Sequence, residues 1–243
     1  MLAGLGLKIT MYLNKIYQLR DNNNIVHQRK EANKAIMFSS NHISFQYADA
    51  FAILAEKHDI SINKEVAFRG RLQHFQRLNF PSGVNTGKGN PAKYGWRELF
   101  LLALALEYLE IGSTPERSVQ EISKFEDNLT IGIAKVVSSH NAEKEAYFLI
   151  TELSGLLVLR KEHCWADRVK LVTQSEIGMI FSEQGDDRFN SPYAIIDLRQ
   201  LIGSLLLAVF KMSSFSKDNI VRDLKAWSHD VGVEVAAAVC EGL

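Results

Sequence analysis

The run from Trp96 to Ile111 (WRELFLLALALEYLEI) constrains the fold of this chain more than any other segment. Its apolar residues fall on almost every side of a helix, with Glu107 and Glu110 as the clearest exceptions. A helix that is apolar all round lies at the centre of a protein or against another subunit. Its uninterrupted apolar stretch, Leu99–Leu106, is far shorter than the roughly 20 residues that span a bilayer. We therefore expect a buried helix over residues 96–111 and no membrane segment.

Short helices are predicted on both sides of this run. Residues 48–57 place apolar side chains on one helical face, and Ser61 suits the start of a second helix, residues 62–78. Gly112 is a natural helix end. Pro115 lies near the start of a further helix, which we expect to continue to about residue 139.

Short strands and helices are predicted from Tyr147 onward. The segment that begins there fits either a hairpin or a buried helix, because its periodicity does not distinguish the two. The remaining elements are predicted as strands at 169–172, 179–181 and 193–197 and as helices at 198–212 and 217–241. The predicted fold class is therefore mainly α with minor β.

Three regions are predicted along the chain. Residues 1–44 form an N-terminal helix and arm, either accessory or loosely attached. Residues 45–140 form a helical domain, and residues 141–243 form a small α+β region. The boundary near residue 140 falls in the polar segment SSHNAEKE.

Positive charge is concentrated in one segment of a chain whose formal net charge is +0. Within residues 61–97, Glu65 is the single acidic residue among seven basic ones: Lys64, Arg69, Arg71, Arg77, Lys88, Lys93 and Arg97. A compact basic element on a neutral protein is typical of a surface that binds a phosphate backbone. Overall neutrality argues against a histone-like coating protein. A solvated basic face and a surface for another protein are the alternatives.

The same segment has a recognisable order of elements. A short helix, a turn, a helix carrying arginines and Pro81 are followed by the glycine-rich segment Gly83–Gly89, which we call the wing. KYGWRELFLLALALEYLEIGSTPERSVQEI then continues with an aromatic residue, a helix, a Gly stop and a further helix. Over residues 48–122 the chain resembles the MerR-type winged helix-turn-helix family. The resemblance implies a homodimeric, sequence-specific DNA-binding regulator of transcription with a dimerisation or effector region after the DNA-binding part.

The resemblance gives each basic or amide residue an expected role on double-stranded DNA. Helix 62–78 would lie in the major groove, where Arg69 and Arg71 suit guanine or phosphate and Gln73 and Gln76 suit adenine. Lys88 in the wing would lie near the backbone or the minor groove, and Lys93 and Arg97 would add positive charge near a helix N-terminus, which favours anions. Lys64 and Arg77 are further expected DNA contacts. A small-molecule effector of unknown identity is a further possible partner.

No metal site, cofactor or enzymatic activity is predicted. Cys164 and Cys240 belong to no metal-ligand cluster, and their isolation favours a reduced, cytoplasmic compartment. Asn41–Ser44 (NHIS) is similar to the start of a glycerolipid acyltransferase motif, but Tyr47 stands where that motif needs a carboxylate. We therefore interpret His42 as a loop or capping residue. An enzyme that uses residues 147–243 on a small molecule remains an alternative.

Overall fold

Helices make up most of the structure, and the strands form two small sheets. The computed structural model describes residues 42–84, 91–138, 147–152, 169–182 and 193–240. The predicted N-terminal helix and most of the wing lie outside these residues. In chain order the elements are β1 (Phe45–Gln46), α1 (Tyr47–Lys57), α2 (Glu65–Arg77), β2 (Lys93–Tyr94), α3 (Trp96–Glu110), α4 (Pro115–Lys124), α5 (Glu126–Ser138), β3 (Tyr147–Glu152), β4 (Val169–Thr173), α6 (Gln174–Ser182), β5 (Tyr193–Asp197), α7 (Leu198–Met212) and α8 (Lys217–Cys240).

Helix α3 lies at the centre, as its composition predicts. Trp96, Tyr108 and every residue of Leu99–Leu106 are buried. Helices α4, α5 and α7 pack around it, which accounts for apolar residues on all of its sides. Gly112 follows its end with a φ of 89°, a backbone conformation that glycine adopts without a steric penalty. Within the described ranges no helix is both long enough and apolar enough to cross a membrane.

Helices α1 and α2 occupy the predicted positions. Residues His58–Ser61 connect α1 to a short 3-10 turn, Ile62–Lys64, which leads directly into α2. Phe51 of α1 and Phe68 of α2 pack with ring centroids 5.6 Å apart. The apolar side of each helix is thereby buried, while the polar side of α2 faces outward.

Two antiparallel sheets join distant parts of the chain. Phe45 of β1 pairs with Tyr94 of β2, so the residues that precede α1 and α3 are held together. The larger sheet has the order β4-β3-β5, with Ile150 of β3 opposite both Lys170 and Ile195. Tyr147–Glu152 is therefore a strand and not part of a buried helix, and the turn expected at Ser154-Gly155 lies outside the described residues.

Helices from both sides of residue 140 share one hydrophobic core. Helix α1 packs against α7, and α5 packs against α8. The described residues after Asn41 belong to a single compact unit. The functional division at residue 140 stays a prediction.

Two predicted elements were wrong. The single helix expected from Pro115 to about residue 139 is two helices, because Phe125 leaves helical geometry at φ −119° and ψ 17° and is buried between them. Residues 179–181, expected to be a strand, lie inside α6. At the start of α6 the Glu176 carboxylate accepts hydrogen bonds from the amide and hydroxyl of Thr173, which stabilises a helix there.

Candidate nucleic-acid interface

Helix α2 has a buried side and a polar outer side. Phe68, Leu72 and Phe75 form the buried side. At about 100° per residue, the opposite side of the cylinder carries residues 66, 69, 73 and 77. All four are exposed, and we call them the outer stripe: Val66, Arg69, Gln73 and Arg77. The stripe contains no acidic residue.

Arg69 lies at the edge of this stripe that faces α1. Its guanidinium carbon is 4.5 Å from the ring centroid of Phe51. A guanidinium group over an aromatic ring is attracted to it. Arg69 therefore contacts α1, and its side chain remains exposed. Arg77, at the end of the helix, is also exposed.

Arg71 lies on a different side of α2. Two residues along a helix correspond to about 200°, so Arg69 and Arg71 diverge around the helix axis. Arg71 is exposed and lies towards the side occupied by His74, whose Nε2 contacts Glu116 Oε1 of α4 at 2.7 Å. The two arginines expected to read guanine are therefore not placed side by side, and Arg71 suits a phosphate contact better than a base contact.

Gln76 connects α2 to the small sheet. Its Nε2 donates a hydrogen bond of 2.7 Å to the hydroxyl of Tyr94. Tyr94 is buried in β2, and this burial raises the pKa of its hydroxyl. Because the Gln76 amide points inward, Gln73 is the glutamine placed for outward contacts. Lys93, the residue before Tyr94, is exposed.

Arg97 is held inside the structure rather than on its basic surface. Its side chain is 12% exposed, and its Nη2 lies 2.6 Å from Glu126 Oε1 at the start of α5. Its Nη1 contacts Glu98 Oε1 at 3.1 Å. Burial raises the pKa of Glu126, and the charge of Arg97 opposes that rise. The ion pair neutralises Arg97 and joins α3 to α5, a geometry that does not favour its expected phosphate contact.

Of the remaining basic residues, the structure describes one and leaves the other outside its described ranges. Lys64 lies exposed in the 3-10 turn before α2, while Lys88 falls in the wing, outside the described residues. Lys64 and Arg77 are at opposite ends of a helical segment about 20 Å long. The exposed cations that the structure places near α2 are Lys64, Arg69, Arg71 and Arg77.

His42 belongs to a separate polar cluster that sequence reasoning missed. Its Nδ1 lies 3.2 Å from Asp223 Oδ1 and its Nε2 lies 3.1 Å from Asp230 Oδ2, both on α8. Each ring nitrogen is in contact with a carboxylate of α8, so the cluster connects α8 to the chain before α1.

A cleft lies between α5 and α8. It encloses about 370 Å³, and Ile131, Lys135, Ser138, Tyr147 and Ser228 contribute to its lining. This volume is within the range of small-molecule sites, about 300–1,000 Å³. In the part of the chain that the structure describes, no cluster of three or more His, Cys, Asp or Glu side chains is arranged to hold a metal ion.

A scan against protein-family models and a search of the curated proteins found no significant match for this chain.

Proposed function

We propose that this chain is a sequence-specific duplex-DNA-binding regulator of transcription that reads the major groove with α2. The observation that carries the proposal is the outer stripe. Its two arginines and one glutamine are exposed on the side of α2 opposite the buried Phe68, Leu72 and Phe75. Arginine and glutamine are the side chains that form paired hydrogen bonds to guanine and adenine in the major groove.

The order of elements around α2 supports a winged helix-turn-helix. Helix α1, the short connection His58–Ser61 and α2 form the helix-turn-helix. The glycine-rich wing follows, and β2 then returns to pair with β1 before α3 begins. In this arrangement the second helix enters the groove and the wing contacts the backbone.

Affinity for the backbone would come from exposed cations around the outer stripe. Lys64 and Arg71 are exposed on the helical segment beside the stripe, and Lys93 is exposed at β2. Each cation that approaches a phosphate releases bound counterions, which makes the affinity depend on salt. Lys88 in the wing is proposed as a further phosphate contact.

The proposal includes a homodimer and an effector site in the region after α5. A single small helix-turn-helix has limited surface for tight specific binding, and dimers of this class place two helices in successive major-groove faces. Leu207 on α7 is 69% exposed and Phe215 is also exposed, which suits contact with a second copy. The cleft between α5 and α8 is the proposed site for a small molecule.

Fluorescence anisotropy of the full chain with a labelled random-sequence duplex tests the proposal. We expect Kd values of about 10⁻⁴–10⁻⁶ M at physiological salt and a steep loss of affinity as salt rises. The double variant Lys64→Ala/Arg71→Ala should lower the slope of log Kd against log salt by about two. Lys217→Ala/Lys225→Ala, which removes the same charge from exposed positions of α8, should leave the slope unchanged. Absent or salt-independent binding would instead favour a protein-interaction surface.

A further inference from the structure

Two large apolar side chains are exposed at the N-terminal end of the proposed reading helix. Ile62 is 87% exposed and Val66 is 84% exposed. Ile62 begins the 3-10 turn that leads into α2, and Val66 lies in the first turn of α2, so both stand at the same end of the helical segment. Single exposed apolar residues are common on proteins. Two such residues at the N-terminal end of the outer stripe require a more specific explanation.

We propose that Ile62 and Val66 recognise thymine by contacting its 5-methyl group in the major groove. This inference rests on the proposed function. In helix-turn-helix proteins the N-terminal residues of the recognition helix contact the base edges. The thymine methyl is the apolar group that the four bases present in the major groove, whereas the other positions are hydrogen-bond donors or acceptors. An apolar side chain against those polar positions would leave them unpaired.

The surroundings of the pair fit DNA better than another protein. Lys64 and Glu65 lie between the two residues in sequence, and Lys64 is exposed whereas Glu65 is half-buried. Arg69 follows Val66 by one turn and is exposed. Two side chains offer much less area than the roughly 800 Å² that each partner contributes to a standard protein interface. Both are also β-branched, so their χ1 angles are restricted and little side-chain freedom is lost on contact. A small, rigid apolar patch with adjacent cations matches one or two methyl groups in an anionic groove.

The test begins with selection of preferred duplexes by the full chain from a random library. The best duplex is then synthesised with deoxyuridine in place of each thymidine in turn, which removes only the 5-methyl group. We expect deoxyuridine at one or two positions per half-site to weaken binding by about fourfold each, the effect of losing one buried methyl group. The same substitution should have no effect at the other positions.

Variants connect this effect to the two residues. For each of the variants Val66→Ala and Ile62→Ala, there should be one of those positions at which replacing thymidine by deoxyuridine no longer changes the affinity for the duplex. Val221→Ala, which shortens an exposed valine on α8, should keep the discrimination of the wild type. Because all three positions are exposed, thermal unfolding should be nearly unchanged, and this measurement accompanies each variant.

The outcomes separate this inference from the proposed function. Tight, salt-dependent binding that is indifferent to deoxyuridine at every position would overturn thymine recognition and leave DNA binding intact. If Val66→Ala and Ile62→Ala both still distinguish thymine from deoxyuridine at every position, thymine recognition by these residues would also be overturned. A change of oligomeric state in these variants without a change in discrimination would assign the pair to a protein contact and overturn it. Failure to bind any duplex would overturn both proposals.

Discussion

The indole N–H of Trp96 donates a hydrogen bond of 2.7 Å to Asp223 Oδ2, although the two residues are 127 positions apart. Trp96 begins the central helix α3, and Asp223 lies on α8. The same carboxylate oxygen accepts the amide of Ile43 at 2.9 Å, just before β1. One side chain therefore holds together the starts of β1 and α3 and the long C-terminal helix.

We expect Asp223→Asn to lower the free energy of unfolding by about 1.5–3 kcal/mol, the range for hydrogen bonds to a charged group. With the amide oxygen at the Oδ2 position, the NH₂ group would replace Oδ1 and face Nδ1 of His42, and the negative charge that Trp96, Ile43 and His42 all contact would be lost. Urea denaturation measures the change. Asp59→Asn is the control, because Asp59 is exposed at φ 49°, a backbone that asparagine tolerates. Equal stability of the Asp223 variant and the wild type would contradict the prediction.

The positions of its arginines around the axis of α2 predict unequal roles for them on DNA. Arg77→Ala should weaken binding to a selected duplex by about 1–3 kcal/mol, because Arg77 belongs to the outer stripe. Arg71→Ala removes the same charge from the same helix, and we expect it mainly to reduce the salt slope by about one. Titrations of both variants against the selected and a random duplex make the comparison. A larger loss of specificity in the Arg71 variant would mean that α2 enters the groove on its other side.

His58, which follows α1, predicts a pH dependence of stability. Burial lowers the pKa of its imidazole to about 4 from the usual 6.5; the charge of Lys57 adds to this shift, and Glu107 opposes it. Between these values the unfolded chain binds a proton that the folded protein excludes. The contribution of His58 to stability is thus complete above pH 6.5 and is lost as the pH falls towards 4.

Comparison of the wild type with His58→Gln isolates this effect. Relative to the variant, the wild type should lose about 2–3 kcal/mol of unfolding free energy between about pH 7.5 and pH 4.5. His229→Gln is the control, since the His229 side chain is 76% exposed. Parallel pH profiles for wild type and His58→Gln would show that the folded protein accommodates a protonated His58.

Gly70 lies in the middle of α2 without a structural requirement for glycine. A Cβ built there would meet nothing within 4 Å. Gly70→Ala should therefore raise the free energy of unfolding by about 0.5–1 kcal/mol, the difference in helix propensity. Gly112→Ala should act in the opposite direction, because its φ of 89° is strained for any residue with a side chain. Thermal and urea unfolding of the two variants test the pair of predictions.

The sequence predicted the helices best where local signals marked their ends. Helix α7 has the predicted bounds, Leu198–Met212, and Asp197 caps it by accepting the amides of Arg199 and Gln200. The central position of α3 followed from its uniform apolar composition. The mistaken strand at 179–181 came from an apolar run too short to show a period. Thr173 and Glu176 had the spacing of a capping box and were the signal that identifies α6 as a helix.

The candidate site was only partly predictable, because a charge count carries no directional information. The basic segment was visible in composition, but the helical phase separates Arg69 and Arg77 from Arg71. Arg97 contributed to the same count, yet Glu126 on a later helix neutralises it. Contacts between distant residues have no local pattern at all. His42 and Asp223 are 181 positions apart, and the fold alone brings them together.

The separation of buried and outer residues on α2 has a consequence for how such a protein diversifies. Phe68, Leu72 and Phe75 anchor the helix, and none of them belongs to the exposed set Val66, Arg69, Gln73 and Arg77. Replacements in the exposed set leave the anchoring contacts in place, and surface replacements usually change stability by less than about 0.5 kcal/mol. Under the proposed function, new target preferences can therefore arise by successive single substitutions without an intermediate that fails to fold.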